Sequence, residues 1–139
     1  MQTTGAMLFV PKGQNRGEGR NEMHRYVLIC DKNREVCKTI ARIVNTLGVQ
    51  AVAATDGSAA IRISARRTPD LVLYEENMPG MRASDFVNAG LSHLLHRRAL
   101  LVERKRAQRA RWLPTMSKPL EVRRFSQQLT ALLENTGSS

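Results

Sequence analysis

From residue 26 onward, short continuous apolar runs alternate with longer stretches in which apolar residues recur at helical spacing. Tyr26-Val27-Leu28-Ile29-Cys30 is a continuous apolar run between charged residues, the pattern of a strand buried on both faces. Arg34 to Leu47 places Val36, Ile40, Ile43, Val44 and Leu47 on one helical face, and Gly48 stops that helix. Val49 to Ala53 is a second strand, closed by Asp56-Gly57, and Ser58 can cap a helix running through Ala65. Leu71 to Tyr74 is a third buried strand. After a loop holding Pro79-Gly80, Ser84 or Asp85 can cap a helix carrying Phe86, Val87, Leu91, Leu94 and Leu95. Ala99 to Val102 reads as a fourth strand and Leu113 to Met116 as a fifth. Pro119 stands in the first turn of a last helix with apolar face Leu120, Val122, Phe125, Leu129, Leu132 and Leu133. Strands alternating with helices predict an α/β fold, a doubly wound five-stranded parallel sheet with helices on both faces.

Two regions break this rhythm. Residues 1–23 contain Gly13, Gly17 and Gly19 among polar residues, and Pro11 interrupts their apolar patch, Met7 to Val10. They read as a flexible N-terminal tail, leaving 24–137 as the folded domain. The second break is the ten-residue stretch from Glu103 to Trp112 between the fourth and fifth strands. A crossover helix of about three turns with its two loops needs more room. The fourth helix is therefore expected to be shortened or replaced.

Charge gives that gap a meaning. Lys plus Arg outnumber Asp plus Glu by 22 to 12, a net of +10. From Arg97 to Arg111 seven basic residues (Arg97, Arg98, Arg104, Lys105, Arg106, Arg109 and Arg111) face one acid, Glu103, so this block alone supplies +6. Such a density repels itself unless an anion binds. The chain has no apolar run near the roughly 20 residues of a membrane span and no secretory signal pattern, so a cytoplasmic location and no membrane insertion are expected. Cys30 and Cys37 form no disulfide framework or metal motif. His24, His93 and His96 lack metal-ligand spacing, and no catalytic triad is discernible, so neither a metal site nor an enzyme is expected.

Three fragments, in order at strand ends, resemble the CheY-like receiver domains of response regulators: Val27 to Asn33, Asp70 to Met81 and Ser117-Lys118-Pro119. The resemblance implies the flavodoxin-like receiver fold over 24–137. It also implies a site at the carboxyl ends of the strands, where two acids bind Mg²⁺, an aspartate accepts a phosphoryl group, and a hydroxyl residue and a lysine contact it. Here Asp31 is retained, but Lys32 replaces its acidic neighbour. Glu75 stands at the acceptor position, Glu103 falls near the hydroxyl position, and Lys118 is retained. A lost carboxylate and an added ammonium both disfavour a hard divalent cation. The longer glutamate displaces the acceptor carboxylate. A degenerate phosphoacceptor pocket of Asp31, Lys32, Glu75 and Lys118 follows, closed by lysine–carboxylate pairs and not phosphorylated.

Within the basic block arginine exceeds lysine six to one. Arginine adds to charge a planar fork that grips phosphate or the guanine O6/N7 edge, and a face that stacks on bases. Glu103 can accept from guanine N–H groups, and Trp112, the only tryptophan, can stack on a base. Phosphate, guanine edge and base face together point to a guanine nucleotide such as cyclic di-GMP. The sequence here resembles the arginine-rich CheY-like cyclic di-GMP effectors, the Cle proteins, which act at the bacterial flagellar motor. That resemblance implies a ligand site of Arg97, Arg98, Glu103, Arg104, Arg106, Arg109, Arg111 and Trp112, with output through a protein partner, the flagellar motor switch foremost. Arg82 and Asp85 also fit a short RxxD pattern, which reads better as a loop arginine before a helix cap. Arg66-Arg67 and Arg123-Arg124 read as solvated helix ends. Two alternatives use the same basic segment: a phosphorylation-independent adaptor for an acidic protein surface, and a nucleic-acid-binding receiver with a steep salt dependence.

Overall fold

The computed structural model describes residues 6–11, 25–76, 78–103, 115–118 and 122–137. In chain order the elements are β1 (Ala6–Phe9), β2 (Tyr26–Cys30), α1 (Arg34–Thr46), β3 (Gln50–Ala54), α2 (Gly57–Arg66), β4 (Leu71–Glu75), α3 (Ala83–Asn88), a 3-10 turn (Ser92–Leu94), β5 (Arg98–Glu103), β6 (Thr115–Lys118) and α4 (Val122–Gly137). The sheet order is β1-β3-β2-β4-β5-β6. All five expected parallel strands are present, with Cys30 beside Tyr74, Tyr74 beside Leu100, and Leu100 beside Thr115.

The apolar runs form strands because both sheet faces are covered. Val27 and Ile29 of β2 join Ile40 and Val44 of α1 and Phe125, Leu129 and Leu133 of α4 in one buried layer. Tyr26, Leu28 and Cys30 turn the other way, toward Ala59 and Ala60 of α2, Phe86 of α3, and Leu91 and Leu94 after it. Each large aliphatic side chain buried in this way contributes about 1.5–3 kcal/mol. The two faces also separate the cysteines: both are buried thiols, Cys30 in one layer and Cys37 in the other.

The helix starts differ from the expected ones in instructive ways. Asn33 caps α1, its side-chain oxygen accepting from Glu35 N (2.9 Å) and Val36 N (3.3 Å). Asp56, not Ser58, caps α2: its Oδ1 accepts from Ala59 N, and the Ser58 hydroxyl donates to it, both at 2.8 Å. These bonds hold the Asp56 carboxyl below its ordinary range, the Ala59 amide contributing most. Helix α3 starts one residue ahead of Ser84, with Asp85 reaching back to accept from Arg82 N at 3.0 Å. The RxxD residues thus meet in a helix start.

That helix is also shorter than the apolar spacing implied. Gly90 adopts φ +77°, Gly90 N donates to Val87 O, and Leu91 N donates to Phe86 O. This pair of bonds is a Schellman close, which needs a left-handed residue and so favours glycine. Leu91 and Leu94 then reach the core from the turn after the helix. The fifth parallel strand lies at Thr115–Lys118, two residues later than expected, and Val122 is exposed, outside the apolar face assigned to it.

The chain before residue 24 is not wholly a tail. Residues 6–9 are a sixth strand, antiparallel to β3, with Ala6 beside Ala54 and Phe9 beside Ala51. Met7 and Phe9 pack against the layer built by α1 and α4, and Asn45 Nδ2 donates to Phe9 O at 3.4 Å. Four apolar residues beside a proline are too short for a periodic signal, and the open edge of β3 supplies what makes them a strand. The rest of the expected tail, 1–5 and 12–23, lies outside the described residues.

Candidate functional site

The carboxyl ends of β2 and β4 bring together three of the four residues expected in the degenerate pocket. Asp31 follows the last residue of β2 and is 1% exposed. Its Oδ1 accepts from Asn33 N at 2.9 Å, its own N–H donates to Ala54 O at 3.2 Å, and its carbonyl accepts from the Cys37 thiol at 3.3 Å. The residue thereby ties the end of β2 to β3 and to the first turn of α1. Glu75 ends β4 one strand away. Lys32 reaches across to it, with Nζ 3.8 Å from Oε2 and the Lys32 amide 3.4 Å from Oε1. The lysine side chain is 60% exposed, so the pair contributes no more than about 1 kcal/mol and weakens with salt.

Lys118, the fourth residue, ends β6 in register with Glu103 of β5. Glu75 is in register with Leu101. Lys118 and Glu103 therefore stand two residues beyond the Glu75 row, about 7 Å further along the strands. A hard divalent cation takes six or more oxygen ligands. The Glu75 carboxylate is engaged by the Lys32 ammonium, and no group of three His, Cys, Asp or Glu able to hold a metal occurs among the described residues.

The floor of the corner is set by a close backbone approach. A Cβ on Gly57, the first residue of α2, would overlap the Pro79 carbonyl oxygen and come within 3.1 Å of Gly80 Cα and C. The start of α2 thus rests on the loop that follows Glu75. Nothing in the Asp56-Gly57 pair distinguishes this contact from an ordinary turn, so the sequence alone did not reveal it.

Of the eight residues expected to bind cyclic di-GMP, three lie among the described residues, near the two ends of β5. Arg97 and Arg98 lie at its start and Glu103 at its end, about 17 Å apart for Arg98 and Glu103 at the usual strand rise. Both arginines are engaged with the fold. Arg97 Nη1 donates to Pro69 O at 3.4 Å. Arg98 Nε donates to Leu95 O at 3.2 Å and Nη1 to the Tyr74 hydroxyl at 3.1 Å. The Arg98 guanidinium also lies 5.6 Å from the Phe86 ring centre and 5.9 Å from that of Tyr74, within cation–π range. Burial pushes the Tyr74 hydroxyl up, and Arg98 opposes this by its charge and hydrogen bond. Tyr74 and Phe86 are thus the partners that a linear reading of the arginines missed. Arg104, Arg106, Arg109, Arg111 and Trp112 lie outside the described residues.

A second cluster surrounds the amino-terminal end of the sheet. Arg67, expected as a solvated helix end, covers the Tyr26 ring at 4.6 Å, and the Tyr26 hydroxyl donates to Arg67 O at 2.5 Å. Asp70 accepts from Tyr26 N at 3.0 Å and lies 3.9 Å from Arg25, which also donates to Leu133 O of α4. These contacts join strand starts to helix ends, and burial pushes the Tyr26 hydroxyl well up.

No family model matches the chain, and no curated protein matches it in sequence. Solved structures do match it. The signal receiver domain of an HD domain-containing protein from Pseudomonas fluorescens Pf-5 superposes with TM-score 0.66 at 19% identity, over 84% of this chain and 99% of that one. A response regulator receiver domain protein from Clostridium thermocellum gives 0.64 at 15% identity, over 80% and 95%. The chemotaxis response regulator CheY4 of Vibrio cholerae gives 0.61 at 18% identity, over 79% and 99%. No helix among the described residues is long and apolar enough to cross a membrane. Sheet order, helix placement and these superpositions together establish the architecture: the chain has the fold of the CheY-like receiver domains of response regulators.

Proposed function

We propose that this chain is a signalling pseudo-receiver that takes its input by binding cyclic di-GMP rather than by phosphoryl transfer, and gives its output through a protein partner, the flagellar motor switch foremost. The observation that carries this reading is where the charges lie. At the corner where a receiver holds its phosphoryl group, the Lys32 ammonium sits 3.8 Å from Glu75. In the block 97–111, seven basic side chains face the single acid Glu103. Anion binding has moved from the first place to the second.

The ligand chemistry follows from the residue types. Two phosphodiesters take guanidinium forks, each guanine offers O6 and N7 to an arginine, and its N–H groups suit the Glu103 carboxylate. Trp112 supplies a stacking face. With Arg97 and Arg98 held by Pro69, Leu95 and Tyr74, the weight of recognition falls on Arg104, Arg106, Arg109, Arg111, Glu103 and Trp112. Arg97 and Arg98 can add to it, since a guanidinium carries five N–H donors and the bonds to Pro69, Leu95 and Tyr74 take one of Arg97 and two of Arg98.

Calorimetric titration of the full chain with cyclic di-GMP tests the ligand. Heat of binding at micromolar protein is expected, reduced when Arg104 and Arg106 are changed together to Glu, and stronger than for GMP at equal salt. No heat at low salt removes the ligand assignment, and a response only to long RNA or DNA replaces it with nucleic-acid binding. Incubation with labelled acetyl phosphate and Mg²⁺ tests the other half. No label is expected in the protein, and stable incorporation at Glu75 would return the chain to phosphoryl signalling.

A further inference from the structure

We propose that Arg25, Arg66, Arg67 and Arg97, gathered at the amino-terminal end of the sheet, form a docking surface for an acidic segment of a partner protein. The inference rests on the protein-partner half of the proposed function and needs no nucleotide. In sequence Arg97 opens the basic block that runs to Arg111. In the fold it stands just before β5, at the opposite end of that strand from Glu103, and its neighbours are arginines far away in the chain. The loop 67–70 joins them. Arg67 lies 4.6 Å over the Tyr26 ring, the Pro69 carbonyl accepts from Arg97 Nη1 at 3.4 Å, and Asp70 stands 3.9 Å from Arg25. Four residues reach at most about 14 Å, so these arginines share one surface. Arg66, the last residue of α2, adjoins Arg67, and both are exposed.

Helix ends account for only part of the cluster. Arg25 Nη2 donates to Leu133 O near the end of α4, and Arg66 stands in the last turn of α2, where a cation suits the helix dipole. Arg97 instead rests on a loop carbonyl, and the Arg67 guanidinium on a ring. Among the described residues, the carboxylates drawn into the cluster are Asp70 and Glu134, the latter next to the carbonyl that Arg25 bonds. Four guanidinium groups thus face two carboxylates, and positive charge is left over on side chains already held in place. Held side chains lose less freedom when a partner binds. The two carbonyl bonds take one of the five N–H donors of Arg25 and one of Arg97, and a guanidinium fork fits a carboxylate.

Residue type selects the occupant. The described lysines, Lys32, Lys38 and Lys118, lie toward the carboxyl ends of the strands, so among the described residues the positive charge of this end comes from arginine. Protein interfaces are enriched in arginine and depleted in lysine relative to the remaining surface, and a few anchored arginines carry much of their binding energy. A nucleic acid fits less well. Four arginines neutralise at most four phosphates, a hold that is weak and non-specific at physiological salt. Single strands gain affinity by stacking bases on exposed rings, and the ring at this end, Tyr26, is 1% exposed beneath Arg67.

Titration of the full chain with a poly-L-glutamate peptide of about 15 residues, without nucleotide and at about 0.15 M salt, tests the proposal. Fluorescence anisotropy gives the affinity, and NMR shifts of backbone amides and arginine side chains give the place. Shifts are expected at Arg25, Tyr26, Arg66 to Asp70 and Arg97. Arg66→Glu combined with Arg97→Glu should weaken binding about tenfold, and Arg66→Glu alone about threefold. The single change leaves the contacts of Pro69 and Tyr26 in place, so a folding defect in the double variant does not hide the result. Arg104→Glu with Arg106→Glu should leave the shifts at 66–70 as they are. Absence of binding overturns the proposal, and so do shifts confined to 103–112. A short DNA duplex of equal charge that binds these arginines more tightly also overturns it, by assigning the surface to nucleic acid. If cyclic di-GMP gives no heat while these shifts appear, the ligand assignment falls and the docking surface stands.

Discussion

Gly57→Ala is the most informative single substitution in the fold, because two well-known effects act there in opposite directions. Gly57 is the first residue of α2, and alanine is better than glycine in a helix by about 1 kcal/mol. Taken alone, the change should stabilise the protein. The added Cβ, however, would overlap the Pro79 carbonyl oxygen and meet Gly80 Cα and C at 3.1 Å. The obstacles are main-chain atoms of a turn in which Gly80 already holds φ +81°, so no rotamer change relieves them. Overpacking costs typically about 1–3 kcal/mol, and rigid neighbours put this case at the upper end. The expected net loss is about 2 kcal/mol, or roughly 6–8 °C in Tm for a domain of this size. Urea and thermal unfolding followed by circular dichroism measure it. Gly48→Ala provides the control: its Cβ meets nothing within 4 Å, but its φ is +79°, so it isolates the left-handed penalty of about 1 kcal/mol. If Gly57→Ala unfolds at or above the unmutated Tm, helix propensity has won and the close approach of α2 to the loop after Glu75 is refuted.

Other expectations concern the caps, the arginine clamp and the core. Asp56→Ala should cost about 1 kcal/mol at neutral pH through loss of the α2 cap. Because the folded-state pKa of Asp56 is lowered, its contribution is present above the unfolded pKa and lost as pH falls through the folded one. The difference between Asp56→Ala and the unmutated protein should therefore shrink in acid, a trend that urea midpoints across pH would check. Arg98→Leu removes the donor to the buried Tyr74 hydroxyl and should cost about 1–3 kcal/mol. Arg98→Lys should recover only part of this, since an ammonium cannot also keep the planar contact with Phe86. Leu129→Ala, at a fully buried position of α4, should lose about 2–5 kcal/mol in urea unfolding. Lys32→Ala should lose less than about 1 kcal/mol, with the difference fading in high salt.

Much of the architecture was legible because buried parallel strands leave an unusually plain signature. β2 and β4 are continuous apolar runs, and α1 and α4 carry apolar residues at helical spacing that end up in one layer. The less legible features depend on atoms far apart in sequence. The helix starts at Asp56 and Arg82 were displaced because several residues near each start can accept an amide, and backbone geometry chooses between them. Leu91 and Leu94 had the spacing of a continuing helix, yet the left-handed Gly90 ends α3 and sends them to the core from a 3-10 turn.

The candidate site divides in the same way. Asp31, Lys32 and Glu75 could be grouped from the sequence because each follows a recognisable strand, and parallel strands bring their carboxyl ends to one side. Arg98 could not be assigned so simply: its charge is evident in the sequence, but its engagement with Tyr74, Phe86 and Leu95 arises only when β4, α3 and β5 pack.

By itself the sequence determined the order of the five parallel strands and the helices between them, the residue types that follow the first and third of those strands, and the concentration of positive charge between Arg97 and Arg111, since each is a local pattern of residue types. Only the tertiary structure decided that Ala6–Phe9 is a strand, that Lys32 reaches Glu75, that α2 rests on the Pro79 carbonyl, and that Arg98 and Glu103 stand at opposite ends of β5. These depend on which main-chain edges, rings and carbonyls become neighbours on folding, and residue type alone does not encode such distances.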